Sequence, residues 1–183
     1  MMRIISGTKR GKKLLSLPGD NTRPTLERVK QAFFNAIQFE IKDKIVLDLF
    51  SGSGQLGLEA LSRGADFCFF NDYSVESCNV IEKNIKACGF SQKCLLTCKP
   101  YTECVKMIKN TGQKVSLVFL DPPYGCGYIA DSLNLMCEAD ILDSNAIVVC
   151  ESAKNDKIPC APLDVRREYI YSEIKVTILE RRK

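Results

Sequence analysis

A chain of 183 residues, 45% of them hydrophobic, is long enough to bury one substantial core and short for two, so a single domain is expected. No run approaches the roughly 18 uninterrupted apolar residues that span a bilayer, and the opening MMRIISGTKRGKK has no apolar block beside its charges, so a soluble, cytoplasmic protein is expected. The absence of histidine excludes Ser-His-Asp and Cys-His mechanisms and leaves carboxylates, backbone groups or a cofactor to carry any chemistry.

The net charge of +4 is unevenly placed: residues 1–30 carry eight Lys and Arg against two acids, which leaves the remainder slightly acidic. Clustered cations suit a polyphosphate partner, because each neutralised phosphate releases condensed counterions; a solvated basic arm is the alternative. The ten cysteines are scattered with no CxxC pair and read as reduced core thiols. Those between Cys94 and Cys104 fall across a strand and a helix, with no histidine to complete a common zinc set, and no metal site is expected.

In chain order, Arg3 to Ser6 reads as a short strand and is followed by a Gly/Lys-rich loop. In TRPTLERVKQAFFNAI, Thr25 is placed to cap a helix whose Leu26, Val29, Phe33, Ala36 and Ile37 recur at helical spacing. The pattern then alternates: strands over Lys44–Phe50, Asp66–Asp72, Lys93–Cys98, Val115–Leu120 and Ala146–Cys150, with helices over Gln55–Arg63, Ser74–Cys88, Tyr101–Asn110 and Tyr128–Ala139 between them. This alternation implies a Rossmann-like α/β fold, a doubly wound and mainly parallel sheet with helices on both faces. Val165–Tyr171 and Glu173–Glu180 have almost nothing between them and fit a C-terminal antiparallel hairpin on the sheet edge.

In such a sheet, ligands bind beyond the carboxyl ends of the strands where strand order reverses, so the loops after the first and fourth strands matter most. After the first stands DLFSGSGQLG, in which Gly52, Gly54 and Gly57 form GxGxxG, and Asp72 ends the next strand 20 residues beyond Gly52. That spacing puts a carboxylate where it can accept both hydroxyls of an adenosine ribose. Asp48, four residues before the first glycine, suits the ammonium and sulfonium of S-adenosylmethionine better than a pyrophosphate. The alternative for Asp48 is a strand-end acid bonded to nearby loop amides.

The fourth strand ends in VFLDPPYGCGY. Proline fixes φ, lacks an N–H and pushes the preceding residue into an extended conformation, so Asp121, Pro122 and Pro123 should form a stiff extended segment. The Asp121 carboxylate and the Pro122 carbonyl can together grip the two N–H donors of an exocyclic amino group, while Tyr124 offers a flat face for stacking a base. Gly125 and Gly127 would let the following loop move over the substrate. A rigid turn with a core aromatic is the structural alternative.

DLFSGSGQLGLEALSRGA, the acid at Asp72 and VFLDPPY resemble the cofactor loop, ribose acid and (D/N)PP(Y/F) motif of class I S-adenosylmethionine-dependent amino-methyltransferases. That resemblance implies a seven-stranded sheet with a reversed last hairpin. More narrowly, RIISGTKRGKKL followed by TRPTLERVKQAFFNAI resembles the opening of the RsmD family, bacterial 16S rRNA guanine-N2 methyltransferases. The resemblance implies methyl transfer to the exocyclic N2 of one guanine in small-subunit 16S rRNA, free or within the 30S subunit, by a monomer with no metal.

Carried over by position, it assigns Asp48, Phe50, Ser51, Gly52, Ser53 and Gly54 to the cofactor, with Asp72 on its ribose and Tyr73 beside it. Asp121, Pro122, Pro123 and Tyr124 go to the target guanine. Arg3, Lys9, Arg10, Lys12, Lys13, Arg23 and Thr25 would face RNA, making residues 1–40 a basic extension to a catalytic core at 41–183. Where the family carries an Asp or Asn followed by Ala to meet adenine, this chain has Lys99-Pro100. An adenine N6 or protein glutamine target, an NAD(P)-dependent oxidoreductase and an inactive RNA-binding module remain the alternatives.

Overall fold

The computed structural model describes residues 2–17, 24–159 and 162–181, with the backbone alone for 24–27. Helix α1 (Pro24–Ala36) and one 3-10 turn (Gln38–Glu40) lead into β1 (Ile45–Asp48), α2 (Gln55–Ser62), β2 (Phe67–Asp72) and α3 (Val75–Cys88). Then follow β3 (Cys94–Cys98), α4 (Tyr101–Thr111), β4 (Val115–Leu120), α5 (Tyr128–Glu138), β5 (Leu142–Ala153), β6 (Leu163–Tyr171) and β7 (Ile174–Arg181). Thr25 does not cap α1, as expected above, but lies within its first turn. Proline begins the helix, where its missing N–H would have had no intrahelical acceptor.

The seven strands form one sheet in the order β3-β2-β1-β4-β5-β7-β6. Strands β1 to β5 pair in parallel, and β7 runs antiparallel to both β5 and β6. Strand order therefore reverses between β1 and β4, and the crevice beyond their carboxyl ends is the place for a ligand. Because helices cover both faces, β4 is buried at all six positions, which explains its unbroken apolar run VSLVFL.

On one face, Val29, Phe33 and Phe34 of α1, Leu58 of α2 and Ile81 of α3 pack on Val46, Phe70 and Phe119. On the other, Val105 and Ile108 of α4 and Leu133 and Met136 of α5 pack on Leu47, Val118 and Leu120. The Phe34 and Phe119 rings lie 5.4 Å apart. Phe119 stands two residues before Asp121, so the packing of α1 steadies the strand that presents DPPY. Truncating a buried phenylalanine of this kind costs about 3–5 kcal/mol.

The expected strand from Arg3 to Ser6 is not formed; Arg3 makes a single antiparallel bridge with Lys13. The reason lies in α2. The fully buried Glu59 accepts the N–H groups of Ile5 at 2.7 Å and Ser6 at 3.0 Å, donors that a strand would have given to a neighbour. Residues 2–14 instead make a small hairpin, with Ile4 N–H on Lys12 C=O and Leu14 N–H on Met2 C=O. At its turn Gly7 has φ +83°, and a Cβ there would lie 1.8 Å from the Ser62 carbonyl oxygen, so only glycine fits.

Among the described residues, no helix is long and apolar enough to cross a membrane. The nine described cysteines are free, and Cys160 lies outside the described residues.

Candidate active site

The glycine loop between β1 and α2 is held almost entirely by bonds within the protein. Asp48, 1% exposed, accepts the Gly57 N–H at 2.9 Å through Oδ2. Burial pushes its carboxyl up to about 7, the Gly57 N–H opposes that, and the neighbouring Asp72 adds to it. Ser51 Oγ donates to the Asp48 carbonyl at 2.6 Å and accepts the Asn71 N–H at 3.1 Å, riveting the loop to β2. A Cβ on Gly57 would stand 2.3 Å from a Phe70 ring carbon, so this glycine lets α2 lie close on the sheet. A Cβ on Gly52 would meet nothing within 4 Å: here the backbone faces open space.

Asp72 closes the loop from the side. Its Oδ2 accepts the Gly52 N–H at 2.8 Å and its Oδ1 accepts the Ser74 N–H at 2.9 Å, so the acid at the 20-residue spacing touches the glycine it was paired with in sequence. Ser74 in turn caps α3, accepting the Ser77 N–H at 3.3 Å. Tyr73 beside it is 79% exposed. Lys99 gives its N–H to the Asp72 carbonyl at 3.1 Å, and its carbonyl accepts Asn71 Nδ2 at 3.1 Å. Pro100 is the residue before α4.

Two buried asparagines that sequence reasoning passed over organise this region. Asn71 bonds the carbonyls of Leu49 and Lys99 and accepts the Thr97 hydroxyl at 2.7 Å, joining the ends of β1, β2 and β3. Asn84 on α3 donates to the carbonyls of Ser53 and Leu15, both at 2.9 Å, and accepts the Leu15 N–H at 2.8 Å. It thereby ties the glycine loop to the N-terminal hairpin. Ser53 adds a second tie, its Oγ lying 3.0 Å from the Met2 sulfur. The one sequence signal for Asn84 was a polar residue on the inward face of an amphipathic helix.

At the end of β4, Pro122 is buried, Asp121 and Pro123 are exposed and Tyr124 is 46% exposed. The Leu49 N–H on the Phe119 carbonyl, 3.2 Å, sets this strand end against that of β1. The segment borders a cleft of about 220 Å³ whose walls include Pro122, Pro123, Tyr124, Tyr128, Ser152 and Asp156. Tyr124 donates its hydroxyl to Glu151 Oε1 at 2.8 Å. Burial, and then the adjacent Glu151 carboxylate, hold the phenol above its ordinary range. Phe50, Tyr101 and Tyr128 form an aromatic trio with ring centroids 5.6 to 6.0 Å apart, bridging the loop after β1 and the starts of α4 and α5. Phe50 was assigned to the site from sequence. Tyr101 and Tyr128 were not, because only the fold brings the two helix starts together.

The basic hairpin meets the glycine loop at its open end, through Met2 and Leu15, and runs away from it toward its turn. Its turn rests on the last residues of α2, where the Lys9 N–H meets Ser62 Oγ at 2.9 Å, and on Phe90, whose ring centroid lies 5.8 Å from Lys9 Nζ. The helix α2 starts at the strand ends and runs eight residues, so its far end stands about 12 Å below them at 1.5 Å per residue. Arg10, Lys12 and Lys13 are exposed on this hairpin, and Arg3 and Arg10 share a cleft of about 350 Å³ with Arg28 and Gln31. Arg23 and the side chain of Thr25 lie outside the described residues.

A family model described as conserved hypothetical protein 95 matches residues 2–180. The chain belongs to this family, the RsmD family. It is 35% identical over 156 residues to ribosomal RNA small subunit methyltransferase D of Haemophilus influenzae, covering 84% of this chain and 80% of that protein. It is 31% identical to YlbH, a candidate rRNA methyltransferase of Bacillus subtilis, over 99% of this chain and 100% of the relative. Among solved structures, YhhF, a candidate methyltransferase of Escherichia coli, superposes with a TM-score of 0.84 at 28% identity, covering 98% of this chain and 97% of that one. Family membership accounts for the seven-stranded Rossmann-like sheet and its reversed hairpin, both now seen in the structure.

Proposed function

We propose that this chain transfers a methyl group from S-adenosylmethionine to the exocyclic N2 of a guanine in small-subunit 16S rRNA. The observation that carries the reading is the juxtaposition, at the strand-order reversal, of a glycine loop closed by Asp72 with the Asp121-Pro122-Pro123-Tyr124 segment on the adjoining strand. The relatives' names supply rRNA as the substrate class.

The residues present fit this cofactor. Gly52 offers backbone to open space, Asp72 stands at its edge with oxygens able to accept further hydrogen bonds from ribose hydroxyls, and the exposed Tyr73 ring lies beside it. Phe50, Ser51 and Gly54 shape the methionine end, with Asp48, bonded to the Gly57 N–H, and Ser53, turned to Met2 and Asn84, supporting that loop from behind. Lys99 and Pro100 border the adenine side, where Lys99 has its N–H on the Asp72 carbonyl and proline has none to give. When bound, S-adenosylmethionine supplies an electrophilic methyl group on a sulfonium.

The chain's own task is alignment. The Asp121 carboxylate and the Pro122 carbonyl take the two amino hydrogens, Pro123 stiffens the segment and Tyr124 stacks the base, holding the nitrogen lone pair out of conjugation. The amino proton leaves to Asp121 or to water. Residues 1–40 serve as the RNA-holding extension. Lys9, Arg10 and Lys12, with Arg3 and Lys13 nearer the hairpin's open end, would follow the RNA backbone down the α2–α3 side; Arg23 and Thr25 are given to RNA by the family resemblance alone. Replacing Lys9, Arg10, Lys12 and Lys13 with alanine is expected to flatten the salt dependence of RNA binding by about 0.7–0.9 log unit per lost phosphate contact; an unchanged slope returns the hairpin to a solubilising role.

The deciding experiment offers labelled S-adenosylmethionine with isolated 30S particles, naked rRNA, DNA and protein, and then analyses the modified nucleoside. N2-methylguanosine in rRNA or 30S is expected. Label confined to DNA or protein, or none at all, overturns the reading.

A further inference from the structure

We propose that Glu151 is the specificity-determining residue of this site, accepting the N1–H of the target guanine while the Tyr124 hydroxyl keeps its carboxylate in place. The inference rests on the amino-methyl transfer proposed above and names what restricts it to guanine.

Leu120 and Cys150 are register partners in the parallel pair of β4 and β5, so the next residue on each strand brings Asp121 and Glu151 side by side at the carboxyl end of the sheet. Neighbouring strands lie about 4.8 Å apart, which places a second carboxylate one strand over from the one that grips the amino group. Glu151 is not idle there: its Oε1 accepts the Tyr124 hydroxyl at 2.8 Å, and the other oxygen is the natural acceptor for a neighbouring donor. Asp121, Glu151 and Asp156 all act electrostatically on the Tyr124 hydroxyl, while Lys157 supplies the positive charge among the residues lining the cleft beside it. A cleft of about 220 Å³ opens on the Pro122, Pro123 and Tyr124 side of this pair, with Ser152, the residue after Glu151, in its wall.

An acidic site selects by what flanks the gripped amino group. In guanine the carbon that bears N2 is flanked by N1, which carries a hydrogen, and by N3, which does not. In adenine gripped by N6, and in cytosine gripped by N4, the adjacent ring nitrogen is an acceptor, and a carboxylate facing it is repelled and left desolvated. A site built to bond a substrate N–H rejects an analogue lacking it far more strongly than a pocket that merely measures size. DPPY alone grips any exocyclic amine; Glu151 beside it supplies the discrimination.

The test compares RNA carrying guanine at the mapped target with the same RNA carrying 2-aminopurine, which keeps the 2-amino group but has no N1–H. Wild type is expected to prefer guanine by at least about a hundredfold in kcat/KM. Glu151→Gln, whose amide can donate to N1, is expected to lower kcat/KM on guanine by about a hundredfold and to narrow the preference below about tenfold. Tyr124→Phe is expected to slow both substrates while keeping most of the preference. Wild type using both RNAs equally overturns the inference without any variant. So does a Glu151→Gln protein that loses both activities by the same factor, or neither, with S-adenosylhomocysteine binding retained. A collapse of preference in Tyr124→Phe equal to that in Glu151→Gln would show that Glu151 acts only through the tyrosine. If wild type makes no N2-methylguanosine, the function proposed above falls and takes this inference with it; discrimination failing while N2-methylguanosine forms overturns the inference alone.

Discussion

The glycine loop and the DPPY segment stand on adjoining strands and are held in opposite ways. The loop is braced from every side: Asp48 on Gly57, Ser51 on Asp48 and Asn71, Asp72 on Gly52, and Asn84 on Ser53. The DPPY segment carries a half-exposed tyrosine bonded to one glutamate, and its stiffness comes from covalent proline rings. The proposed cofactor site gains from backbone amides fixed in advance, since less ordering cost is then met on binding. The proposed site for one base of a large RNA has to stay open, and proline gives rigidity without enclosing walls.

The sharpest way to separate the two regions is Asp121→Ala. Methylation is expected to fall by about a thousandfold, the scale of losing an aligned polar group at the reacting centre, while S-adenosylhomocysteine affinity by calorimetry stays within a few fold. Comparable loss of both would mean that the regions are one unit. Asp72→Ala should do the reverse, weakening cofactor binding by about a hundredfold, as charge-assisted bonds to two hydroxyls would require, with RNA affinity in filter binding unchanged.

Gly57→Ala probes the bracing itself. With a methyl group forced to within 2.3 Å of Phe70, the cost is expected to be about 1–3 kcal/mol, read as a lower midpoint in urea with an unchanged slope. No loss would show that α2 floats over the sheet. The same change at Gly125 or Gly127, where an added Cβ meets nothing, should cost less because only the positive φ opposes it.

The gentlest test is pH. The folded carboxyl of Asp48 stands at about 7 against 3.8 when free, so between those values the native state holds the extra proton and stability falls as pH rises. Below the lower value both states are protonated, and above the upper one the loss is complete. Asp48→Asn keeps an oxygen for the Gly57 N–H and removes the charge, and it is expected to flatten the decline in thermal midpoint between pH 4 and 7. A wild-type profile that is already flat would mean the burial of Asp48 is relieved in solution.

Much of this was legible in the chain because its carriers are local. Apolar runs of strand length, glycine at Gly64 and Gly89 after helices, and the 20-residue interval from Gly52 to Asp72 depend on neighbours in sequence or on one βαβ unit. Boundaries of β1 to β7 consequently fell within a few residues of expectation. The N-terminal segment went astray for the opposite reason: Ile5 and Ser6 have strand-like composition, but their donors are claimed by Glu59, more than fifty residues on.

The residues that sequence reasoning missed share that distance. Asn71, Glu151 and the pairing of Tyr101 with Tyr128 have no local signature, and Asn84 shows only as a polar residue on the inward face of its helix, since a buried polar side chain is recognised by the partners that satisfy it. The sequence by itself determined the fold class and marked the glycine loop with its acid and the DPPY segment as the candidate site, because periodicity, proline and glycine act over a few bonds. Only the tertiary structure decided that Asp48 turns inward to a helix amide, that the turn of the basic hairpin rests a helix length below the strand ends, and that Glu151 stands beside Asp121. Those placements depend on strand order and register, which no short stretch of chain encodes.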